Sequence, residues 1–166
     1  PEAVAVHRLG MGTSGIMVVA KTPEATSALG RQFQDRVTEK YYYAWVWGQV
    51  EKLEGTIDLP LCVDWDNRPR QQVNYEHGRR AITHYICQRV EAERSLMKLK
   101  PITGRSHQLR VHMMEIGHPI LGDHLYAPAE AQAAAPRLYL HAAMLRFNHP
   151  MTGQRLTFEA PAPFPL

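Results

Sequence analysis

The chain has 166 residues and 45% hydrophobic content, which suits one globular domain that buries a core without disulfide or metal staples. Its 19 Lys and Arg against 16 Asp and Glu give a formal charge of +3 and a pI near 9.0, which weakly favours a polyanionic partner. Two cysteines, Cys62 and Cys87, make neither a disulfide framework nor a zinc spacing, and no apolar run approaches the roughly 20 residues that span a bilayer. A reducing, cytoplasmic setting without a membrane partner is expected.

Residues 15–21 (GIMVVAK) are β-branched and apolar and predict a buried strand. Thr22 and Pro23 then supply an N-cap and a first-turn proline, so a helix is predicted to about residue 36. Residues 40–47 (KYYYAWVW) combine aromatics and valine as strands do, and Gly48 ends the run. Residues 58–78 carry Pro60, Asn67, Pro69 and Gly78 among scattered arginines and read as a loop-rich surface excursion. Two more strands are predicted over 81–90 and 95–100. Thr103 and Gly104 lead into a helix over about 106–116, with Leu109, Met113 and Ile116 on its apolar side and Gly117 and Pro119 as its stop. The alanine-rich stretch 128–136 predicts a short helix, and 138–147 with 156–160 a final strand pair around the turn at 149–153. Strands dominate and no linker interrupts them, so residues 1–166 read as a single domain of the α+β class with a mostly antiparallel sheet.

Gly10, Gly12 and Gly15 spell G-x-G-x-x-G, but a dinucleotide site needs a helix opening at the last glycine, and here Ile16-Met17-Val18-Val19 predict a strand. His107 and His112 lie five apart on the predicted helix, which does not put two ring nitrogens on one face, so no metal site is expected. A different set of blocks carries more information. In order they are His7-Arg8-Leu9-Gly10 with Thr13-Ser14-Gly15, Tyr42-Tyr43-Ala44, Thr103-Gly104-Arg105-Ser106-His107-Gln108-Leu109-Arg110-Val111-His112, and Gly117-His118-Pro119-Ile120-Leu121-Gly122-Asp123.

Together these blocks resemble the ribosomal large-subunit pseudouridine synthase A family of RNA pseudouridine synthases. Its first block normally reads H-R-L-D followed by T-S-G, its second Y-x-A, and its third T-G-R-x-H-Q-I/L-R-x-H. The likeness continues through residues 58–61, 64–65, 67–69 and 140–142, and so covers nearly the whole chain. It implies the pseudouridine synthase catalytic-domain fold and isomerisation of uridine in structured RNA, with the tRNA anticodon stem-loop and 23S rRNA as targets. No cofactor or metal is implied, and a monomer is expected. The chain opens at Pro1 almost on its first motif, without an initiator Met, so a fragment lacking the family's N-terminal strands is expected.

The resemblance also implies roles. Gly10 stands where the family has its catalytic aspartate, used as nucleophile or base, and a glycine supplies neither, so an inactive or nearly inactive chain is expected. Tyr42 matches the tyrosine that stacks on the target base and serves in proton transfer. Arg110 matches the arginine that pairs with the aspartate, and its usual partner is missing. Arg8 matches an arginine that fills the space vacated by a flipped nucleotide. Arg105 and His107, at the start of the third-block helix, are candidate substrate contacts; the alternatives are that Arg105, which near a helix N-terminus could meet phosphate, is structural and that His107 packs and hydrogen-bonds within the third block. Lys98, Lys100, Arg68 and Arg70, with Arg79 and Arg80, form an expected phosphate track. Asp58 and Asp123 sit in turn-like contexts outside the first block and are not expected to replace the aspartate. The alternative reading is a non-catalytic RNA-binding or remodelling module on the same fold.

Overall fold

The structure is a computed structural model that describes residues 3–166, so the opening at Pro1 lies outside it. In chain order the elements are β1 (Val4–Ala5), β2 (Ser14–Gly15), β3 (Val19–Ala20), α1 (Pro23–Gln34), β4 (Glu39–Trp47), β5 (Glu54–Asp58), β6 (Leu61–Val63), β7 (Gln71–Val73), β8 (Ile82–Val90), β9 (Arg94–Pro101), α2 (Gln108–Glu115), α3 (Ala129–Ala133), β10 (Leu140–Asn148) and β11 (Arg155–Glu159). The main sheet runs β11-β10-β4-β9-β8-β5, antiparallel throughout, with the short β2 added parallel to β10. This is the expected α+β class. Among the described residues no helix is long and apolar enough to cross a membrane.

Alternation along β4 sorts the sheet into two faces. Ala44 and Val46 join Met97 and Leu99 of β9 in the core that receives Leu109 and Met113 of α2, with Ile116 packed against it. Beyond a bulge in β10 at Ala143, Leu145 and Phe147 receive Leu29 of α1 with Phe33 alongside. On the opposite face Trp45 and Leu96 pack with Leu121, Ala131 and Phe164, and the buried Trp45 indole donates to the Pro165 carbonyl at 2.8 Å.

Helix α1 starts as its residues dictate. The Thr22 hydroxyl accepts the Ala25 N–H at 3.1 Å and proline occupies the first turn. The strand expected over 15–21 is instead two short pieces. At Gly15, with φ 121°, the backbone lies so close to β10 that a Cβ would clash with the Ala142 carbonyl oxygen. After pairing once with Ala142 there, the chain leaves β10, and Ile16 and Val18 pack toward α1. The loop-rich excursion over 58–78 holds a β6–β7 hairpin closed by a single 3-10 turn at Trp65–Asn67. Strand β5 has no counterpart among the predicted elements. It is the sheet edge, and only Ile57 of its EGTID sequence is buried, so its apolar signal is faint. Helix α2 begins two residues later than predicted because His107 takes a left-handed conformation (φ 56°) in front of it.

Candidate active site

Between α1 and α2, on one face of the sheet, lies an open cleft of about 650 Å³. Its floor is Lys40 and Tyr42 of β4 with Leu140 of β10, one wall is residues 7–11, and the other is the segment 101–110. Arg8, Arg36, Lys40, Arg105 and Arg110 all line it, and none of the lining residues is acidic. The cleft is therefore a positive basin, suited to a polyanion.

The wall that carries Gly10 is held at its two ends. Nε2 of His7 accepts the Val18 N–H at 3.0 Å, and its ring stacks on Phe33 at 4.5 Å. That acceptor must stay unprotonated, and burial, with repulsion from Lys40, pulls the His7 pKa down to about 4. At the far end Ser14 Oγ meets His141 Nδ1 at 2.8 Å, while His141 Nε2 faces the Ala160 carbonyl. Between these anchors a turn closes from the Thr13 N–H to the Gly10 carbonyl at 3.0 Å. A Cβ at Gly10 would meet only Thr13 Oγ1, at 3.6 Å, so the backbone has room for a side chain there.

The opposite wall is bonded far more densely. The buried Gln108 amide accepts from Thr103 Oγ1 (2.6 Å) and the Arg105 N–H (3.1 Å), and donates to the Ile82 carbonyl (2.9 Å) and Thr83 Oγ1 (3.0 Å). Thr83 in turn meets His112 Nδ1 at 2.8 Å, and His112 Nε2 meets the Leu59 carbonyl at 3.0 Å. Arg110 is not left without a carboxylate. Its Nε and Nη2 donate to the two oxygens of Asp123 at 2.9 and 2.7 Å, with the residues 8% and 0% exposed. Asp123 Oδ1 also accepts the Leu125 and Tyr126 N–H groups. Fully buried and with both oxygens occupied, Asp123 is not placed to attack or deprotonate anything in the cleft. Tyr126 completes this wall: its hydroxyl accepts the Gln71 N–H at 2.8 Å and meets His107 Nδ1 at 2.6 Å.

A family model for RNA pseudouridylate synthase matches residues 1–115. A dual-specificity RNA pseudouridine synthase RluA from Escherichia coli K12 is 55% identical over 165 residues, covering 99% of this chain and 75% of the relative. Its namesake from Vibrio cholerae is 52% identical over 164 residues, covering 99% and 67%.

The chain is an RNA pseudouridine synthase by family.

The solved structure of human RNA pseudouridylate synthase domain containing 1 superposes with a TM-score of 0.86 at 29% identity, covering 99% of this chain and 71% of the other. Human RNA pseudouridylate synthase domain containing 4, at 0.81 and 24%, covering 97% and 72%, shares the fold. Pseudouridine synthases are isomerases that convert uridine to pseudouridine in RNA.

In this synthase the sequence blocks converge as follows. Arg8, Gly10, Tyr42, Arg105, His107 and Arg110 all line the one cleft. Burial pushes the Tyr42 phenol up to about 12, so it carries its proton at neutral pH, and burial, reinforced by Arg110, lowers the His107 pKa. Arg70 lies outside the lining but stacks on Tyr126 at 4.9 Å, on the ring that Arg110 also approaches at 5.2 Å. The expected phosphate track is not one surface. Lys98 and Lys100 alternate with the buried Met97 and Leu99 that underlie the cleft, so they project from the other face. There Lys98 Nζ lies 4.1 Å over the Tyr41 ring, beside a groove of about 330 Å³ shared with Lys100, His84 and Arg146. Arg68 stacks on Trp65 at 4.9 Å in the β6–β7 turn, and Arg80 pairs with Asp58 at 3.4 Å. Lys40, Arg36 and Phe33 are lining residues that the motifs did not single out. Lys40 was legible in principle, since it stands two residues before Tyr42 on the same strand and so shares its face.

Proposed function

We propose that the cleft is the uridine-isomerising site, that it holds one extruded nucleotide of a structured RNA, and that it lacks in Gly10 the carboxylate that does the chemistry. The observation that carries this reading is the convergence, in one cationic basin, of Arg8, Tyr42 and Arg110 around an open position 10. Isomerisation breaks the N1–C1′ bond, turns the uracil and closes a C5–C1′ bond; the C5 proton leaves and N1 gains one. No electrons and no water are gained or lost, so the step asks for a nucleophile or base, a platform for the base, and a pocket to keep it out of its stack.

Tyr42 is that platform, its phenol neutral and able to donate a proton. Arg8 fills the gap that the nucleotide leaves in the RNA. Arg105 and His107 stand on the substrate side of the far wall, and Arg110, clamped to Asp123, offers its remaining N–H groups to the cleft. Glycine at position 10 can neither attack C1′ nor take a proton, which costs on the order of 10³-fold or more in rate. Residues 1–166 act as a single catalytic domain, a monomer of the cytoplasm, and its targets are a uridine in the tRNA anticodon loop and one in 23S rRNA. Gly10 itself favours a second reading, in which this chain serves only as an RNA-binding module on the same fold.

Mapping pseudouridine by its stable carbodiimide adduct and primer extension in an anticodon stem-loop and a 23S rRNA hairpin separates the readings. Gly10→Asp is expected to modify both RNAs while the unaltered chain binds them with little turnover. Binding by both proteins with turnover by neither would favour the RNA-binding module.

A further inference from the structure

Three arginines beside the cleft take no part in the chemistry described above. Arg36 follows α1, Arg79 precedes β8, and Arg105 precedes α2, so the three come from separate parts of the chain. Arg36 and Arg105 line the cleft itself. Among the described residues none of the three pairs with a carboxylate, whereas the adjacent Arg80 is tied to Asp58. Arg105 is aimed: its Nε donates to the Arg80 carbonyl at 2.8 Å, which ties the guanidinium to the backbone next to Arg79 in sequence and leaves the terminal amino groups free. Burial and then repulsion from Arg79 and Arg36 disfavour the Arg105 charge, as expected of like charges gathered without relief.

The backbone of Arg36 adds a second kind of observation. It stands just past α1 at φ 58°, in a Schellman turn closed by the bonds of Val37 N–H to the Gln32 carbonyl and of Arg36 N–H to the Phe33 carbonyl. Glycine is the usual residue in that left-handed position because it has no Cβ. The helix dipole does not require a cation there, since Arg31 already stands in the last turn. An arginine held in a conformation that favours glycine, at the edge of a cationic cleft, points to a use outside the helix.

We propose that Arg36, Arg79 and Arg105 form a clamp at the cleft mouth that grips one backbone phosphodiester of the RNA next to the extruded nucleotide. The clamp rests on the RNA reading of the cleft and adds to it a fixed point of the RNA backbone. An anion held by three guanidinium groups relieves their mutual repulsion and sets the register in which a nucleotide reaches Tyr42.

The test is the affinity for a fluorescent anticodon stem-loop over a series of KCl concentrations. Arg36→Gly is expected to weaken binding several-fold and to lower the slope of log Kd against log salt by roughly 0.7–0.9, the yield of one phosphate contact. Because the three residues share one phosphate, Arg36→Gly with Arg79→Gln should lower the slope little further. Arg36→Gly should also keep or raise the melting temperature, whereas a merely structural arginine would lower it. Arg89→Gln, a charge paired with Glu91 far along β8, should leave the slope unchanged. Binding by the unaltered chain with an identical slope for Arg36→Gly would overturn the clamp alone; no binding by the unaltered chain would overturn the RNA reading with it. Thermal stabilisation by inorganic phosphate in the unaltered chain, lost in Arg36→Gly while RNA binding is unchanged, would assign the arginines to a free anion and likewise overturn the proposal.

Discussion

The two walls of the cleft are built on different principles. Around Arg110 the buried polar groups are densely bonded and little is exposed, and Asp123 has no accessible surface at all. Around Gly10 the chain is a surface turn pinned at His7 and Ser14, and Met11, the next residue, is 91% exposed. A side chain can therefore be gained or lost at position 10 with little effect on folding, while a change at Gln108 or Asp123 on the opposite wall breaks bonds between buried groups. Position 10 lies on the wall that the fold can spare, so a glycine there leaves the rest of the cleft assembled.

The largest expected effect comes from breaking the rigid wall. Asp123→Ala strands a buried guanidinium and should cost about 3–5 kcal/mol in urea unfolding. A loss below about 1 kcal/mol, typical of solvated pairs, would erase the contrast between the walls. On the pinned wall His7→Ala removes one hydrogen bond and one stacked ring, and should cost about 1–2 kcal/mol at neutral pH. This contribution depends on pH. The His7 pKa falls from 6.5 to about 4 on folding, so the unfolded chain binds the extra proton between those values; the stabilisation is complete above 6.5 and is lost as pH falls toward 4. The gap in melting temperature between the native chain and His7→Ala should close across that window, and a constant gap would show that His7 is not held neutral. The smallest effect is expected from Thr22→Ala, which uncaps α1 behind Phe33 for about 0.5–1 kcal/mol and should leave RNA affinity unchanged in an anisotropy titration.

Features written in neighbouring residues were legible in the sequence. Thr22-Pro23 marked the start of α1, the aromatic and valine content of 40–47 with Gly48 marked β4, the turn at 149–153 marked β10 and β11, and the apolar side of α2 was read from Leu109, Met113 and Ile116. Features that depend on what packs against a residue were not. The partner of Arg110 lies 13 residues on, in a turn whose Asp123 had no local reason to be buried. Tyr126, the hub of the rigid wall, gave no signal at all, because its role comes from the β6–β7 hairpin folding back to present the Gln71 N–H. Alternation put Lys98 and Lys100 on a common face, but which face bears the cleft depends on where α1 and α2 pack.

The account is tested most directly by following release of tritium from RNA carrying [5-³H]uridine in an anticodon stem-loop, since closing the C5–C1′ bond expels the C5 hydrogen. Gly10→Asp should release tritium on the order of 10³-fold or more faster than the unaltered chain, and Gly10→Asn, equal in shape but without the carboxylate, should not. Release by the unaltered chain at the rate of Gly10→Asp would contradict the claim that position 10 is the single gap in an otherwise assembled site.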